Sequence, residues 1–257
     1  MSANNDSFSK TLIVAVSLCL VCSLAVSGAA ILLRKEQQIN KIADIRKSIL
    51  LASGLTKAGE SVDVNAIFAE KIEARVVDLA SGQFVDDINI EKFDQRREAK
   101  NPKNNKVLSK KEDIASIKRR AKQAKVYLVK ENGQIKSIIL PIHGYGLFST
   151  LYGFLAIQAD TQTVVGLKFY EQSETPGLGG EVENPNWIAQ WPGRQVLNDQ
   201  FKPVLKLVKT GASNKTEVDA LSGATMTSQG IERLLTYWLG DDGFGPFLAN
   251  IRKDQRG

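Results

Sequence analysis

Residues 12–33 form an unbroken apolar run with no charged side chain, and basic residues flank it on both sides. At about 1.5 Å per residue, a helix over this run would be roughly 33 Å long, which is enough to cross the hydrocarbon core of a bilayer. The run therefore predicts a single membrane helix with a soluble part after it. The alternative is a cleaved signal peptide, with small residues at 25–29 as the cleavage site, but the run exceeds the usual signal core.

Two features of this run bear on the cellular compartment. The only two cysteines, Cys19 and Cys22, lie within it and are expected to act as small apolar side chains, so the soluble part has no thiol. That absence fits an oxidising compartment. However, five Lys or Arg residues lie between positions 34 and 47, whereas Lys10 is the only one before the run. The positive-inside rule therefore favours a cytoplasmic soluble part.

A second compositional feature is the basic stretch at residues 92–125. It carries 13 Lys or Arg against four acids, although the formal net charge of the whole chain is only +6. Such a stretch could bind nucleic acid or an anionic surface. It has no aromatic residue after Phe93 and no nucleic-acid motif, so we expect no nucleic-acid partner. A solvated insertion with a short helix over 111–125 is the prediction.

The remaining pattern predicts an α+β fold, with an antiparallel sheet and flanking helices. Helices are expected from the apolar run to about Gly54 and over 64–73, 187–190, 228–239 and 247–253. A weak hairpin is expected over 76–85. Two stronger hairpins join 126–129 to 135–140 through Asn132-Gly133, and 151–158 to 164–170. We divide the chain into an N-terminal tail (1–11), a transmembrane helix (12–33), a membrane-proximal helical and basic segment (34–125) and a C-terminal domain (126–257).

The segment Ser222-Gly223-Ala224-Thr225 bears most directly on function. Small residues let a bulky group approach the backbone, and the hydroxyls of Thr225, Thr227 and Ser228 follow where an amphipathic helix begins. A helix N-terminus offers unpaired N–H groups and a positive dipole end, which suit phosphate. An ordinary helix cap explains the same spacing and stays open as an alternative.

Two glycine-bearing segments precede it. One runs from His143 to Ser149 and the other from Glu174 to Gly180, and each is expected to be a loop after a strand. Glycine permits close contact with a flat ligand, although plain turns between strands explain either segment alone. His143 is the only histidine and is expected on the surface or in a loop.

These three segments, in this order and after a single apolar span, resemble the FMN-binding domain family. The family is shared by the C subunit of the Na⁺-translocating NADH:quinone oxidoreductase and the G subunit of the related Rnf-type electron-transport complex, and the former fits best. The resemblance implies a single-pass flavoprotein of the bacterial inner membrane with a periplasmic domain. Its FMN would be attached covalently by a flavin transferase, and it would relay electrons among the other subunits of a six-subunit Na⁺-pumping NADH:ubiquinone oxidoreductase.

The resemblance also assigns site residues. Thr225 is the covalent attachment site of FMN, through a phosphoester, and Asp219 serves recognition by the transferase. The expected cofactor-binding residues are Ser222, Gly223, Ala224, Thr227, Glu174, Thr175, Gly177, Leu178, Gly179, Gly144 and Tyr145. Lys206 or Lys209 is within reach of the phosphate in this interpretation.

Other kinds of site receive little support from the sequence. It contains no Cys/His cluster for a metal and no dinucleotide-binding glycine fingerprint, so we expect neither a metal nor an NADH site. Two other functions remain as alternatives. One is a membrane-anchored hydrolase that uses Thr225 or Ser228 as its nucleophile, and the other is a structural adaptor of a membrane complex.

Overall fold

The computed structural model describes residues 8–255 of the chain. Within this range, the residues up to Asp44 form one unit and those from Ile45 onward form a second, larger unit. The first unit is part of one long helix, α1 (Phe8–Ala52), which contains a stretch long and apolar enough to cross a membrane. The predicted helix is thus present and fits a membrane anchor. Residues 1–7 of the expected N-terminal tail lie outside the described range.

The second unit contains short helices and nine strands in the described chain. The helices are α2 (Val64–Lys71), α3 (Gln95–Lys100), α4 (Pro185–Ile188), α5 (Thr225–Leu239) and α6 (Gly245–Asp254). The strands are β1 (Ile72–Asp78), β2 (Asn105–Val107), β3 (Arg119–Ala121), β4 (Gln123–Glu131), β5 (Gln134–Tyr145), β6 (Thr150–Gln158), β7 (Val164–Glu171), β8 (Lys206–Val208) and β9 (Glu217–Asp219).

A five-stranded antiparallel sheet in the order β1-β4-β5-β6-β7 forms the framework. The hairpin between β4 and β5 turns at Asn132 and Gly133, both of which have positive φ. This is the backbone conformation that Asn-Gly turns favour. Both strong hairpins are therefore confirmed, and so is the α+β fold class.

Each face of the sheet packs against helices because successive strand residues point to opposite sides. On one face, Leu140 and Ile142 of β5 join the main core with Leu234 and Trp238 of α5. On the other face, Ile139 packs in a second cluster with residues from the C-terminal end of α1. The sheet therefore holds α5 in a fixed position, and α5 carries the segment of functional interest.

The prediction of a short helix over 111–125 is wrong. Arg119–Ala121 form β3, and Gln123 begins β4, which pairs with β1 on one side and β5 on the other. Burial outweighs helix propensity in this stretch, because Ala121, Ala124 and Val126 are buried as strand residues. The basic residues of this stretch make its strand pattern hard to recognise in the sequence.

The segment 34–125 contributes to the same framework as the C-terminal domain. It supplies β1 at the edge of the five-stranded sheet and the small hairpin of β2 and β3. The expected boundary at residue 126 falls within β4. The larger unit accordingly begins at Ile45.

His143 lies in β5 and not in a loop, contrary to expectation. Its ring stacks on Tyr152 at 5.3 Å between centroids and lies 4.9 Å from the ring of Trp238. The indole N–H of Trp238 donates to the His143 carbonyl at 2.6 Å. Burial, together with the positive charge of Arg96, lowers the pKa of His143 to about 4.

This environment predicts an acid-sensitive contribution to stability. Between pH 6.5 and about 4, the unfolded chain binds a proton at His143 that the folded chain does not, so stability falls as the pH falls. The loss should approach about 3 kcal/mol, since each pKa unit corresponds to about 1.36 kcal/mol. Urea unfolding at several pH values, comparing wild type with His143→Phe, checks this. The variant should show a shallower slope in this window, and identical slopes would contradict the assignment.

Candidate functional site

The Ser222-Gly223-Ala224-Thr225 segment forms a tight turn between β9 and α5. The N–H of Ala224 donates to the carbonyl of Leu221 at 3.1 Å. The Ser228 hydroxyl accepts from the N–H of Leu221 and donates to the carbonyl of Ala224, both at 3.0 Å. Ser228 is buried and engaged in holding the turn closed, so it is not placed to act as an external nucleophile. That finding weakens the hydrolase alternative.

Thr225 is the first residue of α5, and its side chain is exposed. Its hydroxyl has no hydrogen-bond partner among residues 8–255. No side chain caps the helix, and its first turn contains no acidic residue. The open N–H groups and the positive end of the helix dipole are therefore available to an anion next to the Thr225 hydroxyl.

Gly223 and Leu178 bring the second glycine-bearing loop onto this turn. Gly223 has a φ of +71°, and a Cβ at this position would lie 2.9 Å from Cδ2 of Leu178. Leu178 itself is exposed beside the turn. A larger residue at 223 would be strained and would also displace Leu178. Thr175 and Gly177, which precede Leu178 in the same loop, are exposed.

Glu174 fastens the loops of the site together. Its side chain is 5% exposed, and Oε1 accepts the N–H groups of Phe148 at 3.0 Å and Ser149 at 2.9 Å. Oε2 accepts the N–H of Leu147 at 3.2 Å and the hydroxyl of Thr227 at 2.7 Å. One carboxylate thus links the loop after β7, the turn between β5 and β6, and the first turn of α5.

Hydrogen bonding keeps this carboxylate ionised. Burial opposes its charge, but the hydrogen bonds from Thr227 and from the N–H groups of Phe148, Ser149 and Leu147 outweigh burial and lower the pKa of Glu174. The side chains of Glu174 and Thr227 therefore point into the domain and are hydrogen-bonded to each other. Both residues are buried below the surface of the site and hold its loops in position.

Gly179 lies against this pair. A Cβ at Gly179 would lie 2.7 Å from Oγ1 of Thr227 and 2.8 Å from Oε2 of Glu174, too close for either atom to stay in place. A Cβ at the neighbouring Gly180 would have the Thr175 carbonyl oxygen as its nearest neighbour, at 3.3 Å, and the Glu174 carbonyl oxygen at 3.8 Å.

The glycine pair gives a matched test. We expect Gly179→Ala to destabilise the domain by about 1–3 kcal/mol, because the new methyl group overpacks the Glu174–Thr227 contact. Gly180→Ala should change stability by less than about 1 kcal/mol. Urea unfolding followed by tryptophan fluorescence measures both variants. Equal losses in the two variants would show that the contact at Gly179 is not specifically tight.

Exposed apolar side chains occur on the segments that meet at the first turn of α5. Outside α1, seven large apolar side chains are exposed in the described residues, and five of them lie at the end of β5, on the two glycine-bearing loops or in the first turn of α5, between 40% and 63% exposed. We call these five the apolar collar: Tyr145, Leu147, Phe148, Leu178 and Met226. Large apolar groups rarely cluster at a surface unless a ligand or a partner covers them.

Sequence reasoning missed three members of the collar, Leu147, Phe148 and Met226. The pair Leu147-Phe148 in a turn between two strands could have indicated a binding surface, because exposed apolar residues in a turn do not contribute to the core. Tyr145 was expected at the site, and its hydroxyl donates to the Phe148 carbonyl at 3.1 Å. Gly144 lies within β5, and its Cα faces Leu234 of α5 closely enough that a Cβ would lie 2.5 Å from the Leu234 Cβ.

The remaining expected residues lie further from the collar or are engaged elsewhere. Lys206 forms an ion pair with Glu232 of α5 at 2.9 Å, and Lys209 is exposed. The Asp219 carboxylate accepts the N–H of Ala212 at 2.8 Å, while the Asp219 carbonyl accepts the indole N–H of Trp187. Within residues 8–255, no group of three or more His, Cys, Asp or Glu side chains is arranged to hold a metal ion.

Comparison with known proteins agrees with this geometry. Residues 146–240 match the model of the FMN-binding domain, and they include the Glu174 loop, the Ser-Gly-Ala-Thr turn and α5. The crystal structure of NqrC from Shewanella oneidensis has a TM-score of 0.76 and 35% identity, covering 82% of this chain and 97% of that one. The fold and the site therefore define a protein with an FMN-binding domain.

Full-length relatives identify the family. The C subunit of the Na⁺-translocating NADH-quinone reductase from Vibrio vulnificus (strain YJ016) is 49% identical over 97% of this chain and 98% of its own length. Its counterpart from Pseudomonas aeruginosa is 46% identical, over 98% of this chain and 99% of its own length. This chain belongs to the family formed by the C subunits of the Na⁺-translocating NADH-quinone reductase.

Proposed function

We propose that this chain is the flavoprotein subunit of a Na⁺-translocating NADH-quinone reductase and that its FMN is esterified through phosphate to the Thr225 hydroxyl. The observation that carries the proposal is the position of Thr225, whose free, exposed hydroxyl stands at the N-terminus of α5, on the turn that Leu178 of the apolar collar approaches at Gly223. In this role the chain passes electrons between other redox groups of the complex.

The hydroxyls near the turn are not equivalent. Thr227 and Ser228 are buried, and their hydroxyls are engaged with Glu174 and with the backbone of the turn. Ser222 and Thr225 are exposed, but only Thr225 belongs to the helix and lies beside its open N–H groups. A phosphodiester at Thr225 keeps one negative charge, which those N–H groups and the helix dipole stabilise without a lysine cluster.

The other site residues divide by what they offer a bound flavin. Ser222, Gly223 and Ala224 would leave room for the phosphate and ribityl chain of FMN, while Thr175, Gly177 and Leu178 would contact its ring system. Glu174, Gly179 and Thr227 support the loops from beneath, and Gly144 holds α5 against β5 near Tyr145. Bound FMN takes up two electrons and passes them on singly, while the protein positions it and sets its environment.

Residues outside the collar complete the proposed assignment. Residues 126–257 form the FMN-binding domain, and residues 12–33 anchor the chain in the bacterial inner membrane. The other subunits of a six-subunit complex are its partners. A flavin transferase attaches the FMN during maturation, and Asp219, at the end of β9 just before the turn, serves its recognition.

The orientation of the domain needs its own experiment. We propose a periplasmic domain, against the bias of the charges that flank the membrane helix. Protease added to cells whose outer membrane alone has been opened should digest the domain. Protection of the domain until the inner membrane is broken would contradict this placement.

Denaturation tests the attachment itself. The full chain, produced together with its native maturation system, is boiled in detergent and separated on a denaturing gel under ultraviolet light. A fluorescent band at the mass of the chain is expected, because a covalent bond survives unfolding. A non-fluorescent band, with flavin released into the running front, would mean that FMN is bound without a covalent link.

A further inference from the structure

The basic stretch found in the sequence reaches the edge of the flavin site. Residues 108–118 form the loop between β2 and β3, closed at its base by a hydrogen bond from the Leu108 N–H to the Lys118 carbonyl at 3.0 Å. We call it the basic loop. The carbonyl of Ala115, near its tip, accepts the N–H of Tyr145 at 2.9 Å, and Tyr145 belongs to the apolar collar.

Packing fixes this position. Ala115 is buried, and a Cβ on Gly144 would lie 3.2 Å from the Ala115 carbonyl oxygen, so the loop sits directly on the end of β5. Its neighbour Ile114 is 38% exposed and extends the collar on this side. The matched FMN-binding domain begins at residue 146, so the basic loop lies outside the matched residues.

The acidic side chains of the basic loop form their hydrogen bonds and ion pair within the chain. The Asp113 carboxylate accepts the N–H groups of Ile117 at 2.7 Å and Lys118 at 2.9 Å. Glu112 pairs with Lys106 at 2.8 Å and also accepts the N–H of Ser109. These bonds hold the loop in one conformation and leave its acidic groups turned to their own backbone or to Lys106.

The lysines of the loop have no such partners. Lys110, Lys111 and Lys118 are exposed, and none of them has an ion-pair partner among the described residues. The loop therefore presents three exposed lysines that form no ion pair in the described chain, on the same loop as the exposed Ile114. A protein interface commonly has an apolar centre and a polar rim, and charges at the rim can match opposite charges on the partner.

We propose that the basic loop and the adjoining Tyr145, Leu147 and Phe148 form the docking surface for an electron-exchange partner, a protein surface with an apolar centre and acidic side chains at its rim. This inference rests on the proposed function, because the docked partner faces the flavin at Thr225. Charge complementarity selects the partner and orients it. An anionic membrane surface fits less well, since lipid-binding clusters commonly contain about 4–8 basic residues on a short segment.

Charge reversal tests this surface in the intact complex. The triple variant Lys110→Glu, Lys111→Glu and Lys118→Glu is compared with the control Lys57→Glu, Lys215→Glu and Lys253→Glu, whose lysines are exposed elsewhere. NADH:quinone turnover at low ionic strength should fall about tenfold in the first variant and stay near wild type in the control. The difference in turnover between the two triple variants should become smaller at high salt. Screening weakens both the attraction of the native lysines to an acidic partner and the repulsion of the introduced glutamates.

A photoreactive phenylalanine analogue in place of Phe148, which is 63% exposed, identifies the occupant directly. Crosslinks to another subunit are expected, and they should weaken in the charge-reversed complex. The same analogue at Thr236, exposed near the other end of α5, should not give those crosslinks. Crosslinks from position 148 to lipid alone, or equal turnover in the two triple variants, would overturn the proposal.

Fluorescence of the denatured protein separates this proposal from the one on which it rests. If the charge-reversed chain keeps its covalent flavin and turnover still falls, the docking surface is supported. If the wild-type chain carries no covalent flavin, the proposed attachment fails whatever the crosslinks show.

Discussion

Thr225→Val is expected to abolish covalently held flavin while the domain folds and remains as stable as wild type. Valine keeps the branched shape of threonine but has no hydroxyl to form the phosphoester. Thr225 is exposed, and its hydroxyl has no hydrogen-bond partner in the described chain. The change in unfolding free energy should therefore stay within about 0.5 kcal/mol. In-gel fluorescence measures the flavin, and urea unfolding measures the stability.

Two neighbouring hydroxyls provide controls for this result. Thr227→Val removes a buried hydroxyl that donates to Glu174 at 2.7 Å, so it should cost about 1–3 kcal/mol of stability but leave the flavin attached. Ser222→Ala should alter neither property appreciably. A fluorescent Thr225→Val band, or loss of fluorescence in Ser222→Ala alone, would move the attachment away from Thr225.

Glu174→Ala is expected to produce the largest loss of stability among substitutions at the site. It would leave the N–H groups of Leu147, Phe148 and Ser149 without their acceptor and would remove the partner of Thr227. Each unsatisfied buried group costs about 1–3 kcal/mol, so a total loss of about 3 kcal/mol or more is expected. The 146–149 turn should also become a protease-sensitive site, which limited proteolysis with mass mapping detects.

Glu174→Gln is the matched control. Its amide oxygen can still accept the turn N–H groups, so most of the geometry should survive with a smaller loss of stability. The charge itself is tested by pH. Because the pKa of Glu174 is lower in the folded chain, its contribution is present at neutral pH and is lost as the pH falls through the folded value. The glutamine variant should lack this acid-dependent loss of stability. Equal stabilities for the alanine and glutamine variants would contradict the role of the Glu174 side chain in linking the three segments.

Local patterns predicted much of the fold. Asn132-Gly133 between two apolar runs placed the central hairpin, and apolar spacing after Thr225 predicted a helix over 228–239, which in the structure begins three residues earlier, at Thr225. These features depend on residues close together in sequence. The strand at Arg119–Ala121 was missed because its lysine-rich surroundings resemble a solvated helix, and only pairing with β2 and burial of Ala121 define it.

The roles of site residues were harder to predict, because they depend on contacts between distant segments. Glu174 was expected to contact the cofactor, and its inward carboxylate is defined by Thr227, more than fifty positions away, and by the 146–149 turn. Lys206 was a candidate for the phosphate, but Glu232 of α5 pairs with it. The exposed Phe148 is recognisable as a site residue only after the fold places it beside α5.

Peptide mass mapping of the native, fully matured chain is the decisive test of whether one hydroxyl carries the flavin. Attachment at Thr225 requires that the peptide containing this residue has the mass of its unmodified sequence plus FMN less one water, with fragment ions placing the addition on that threonine. Recovery of this peptide only at its unmodified mass, or with the addition on another residue, would contradict the proposed attachment.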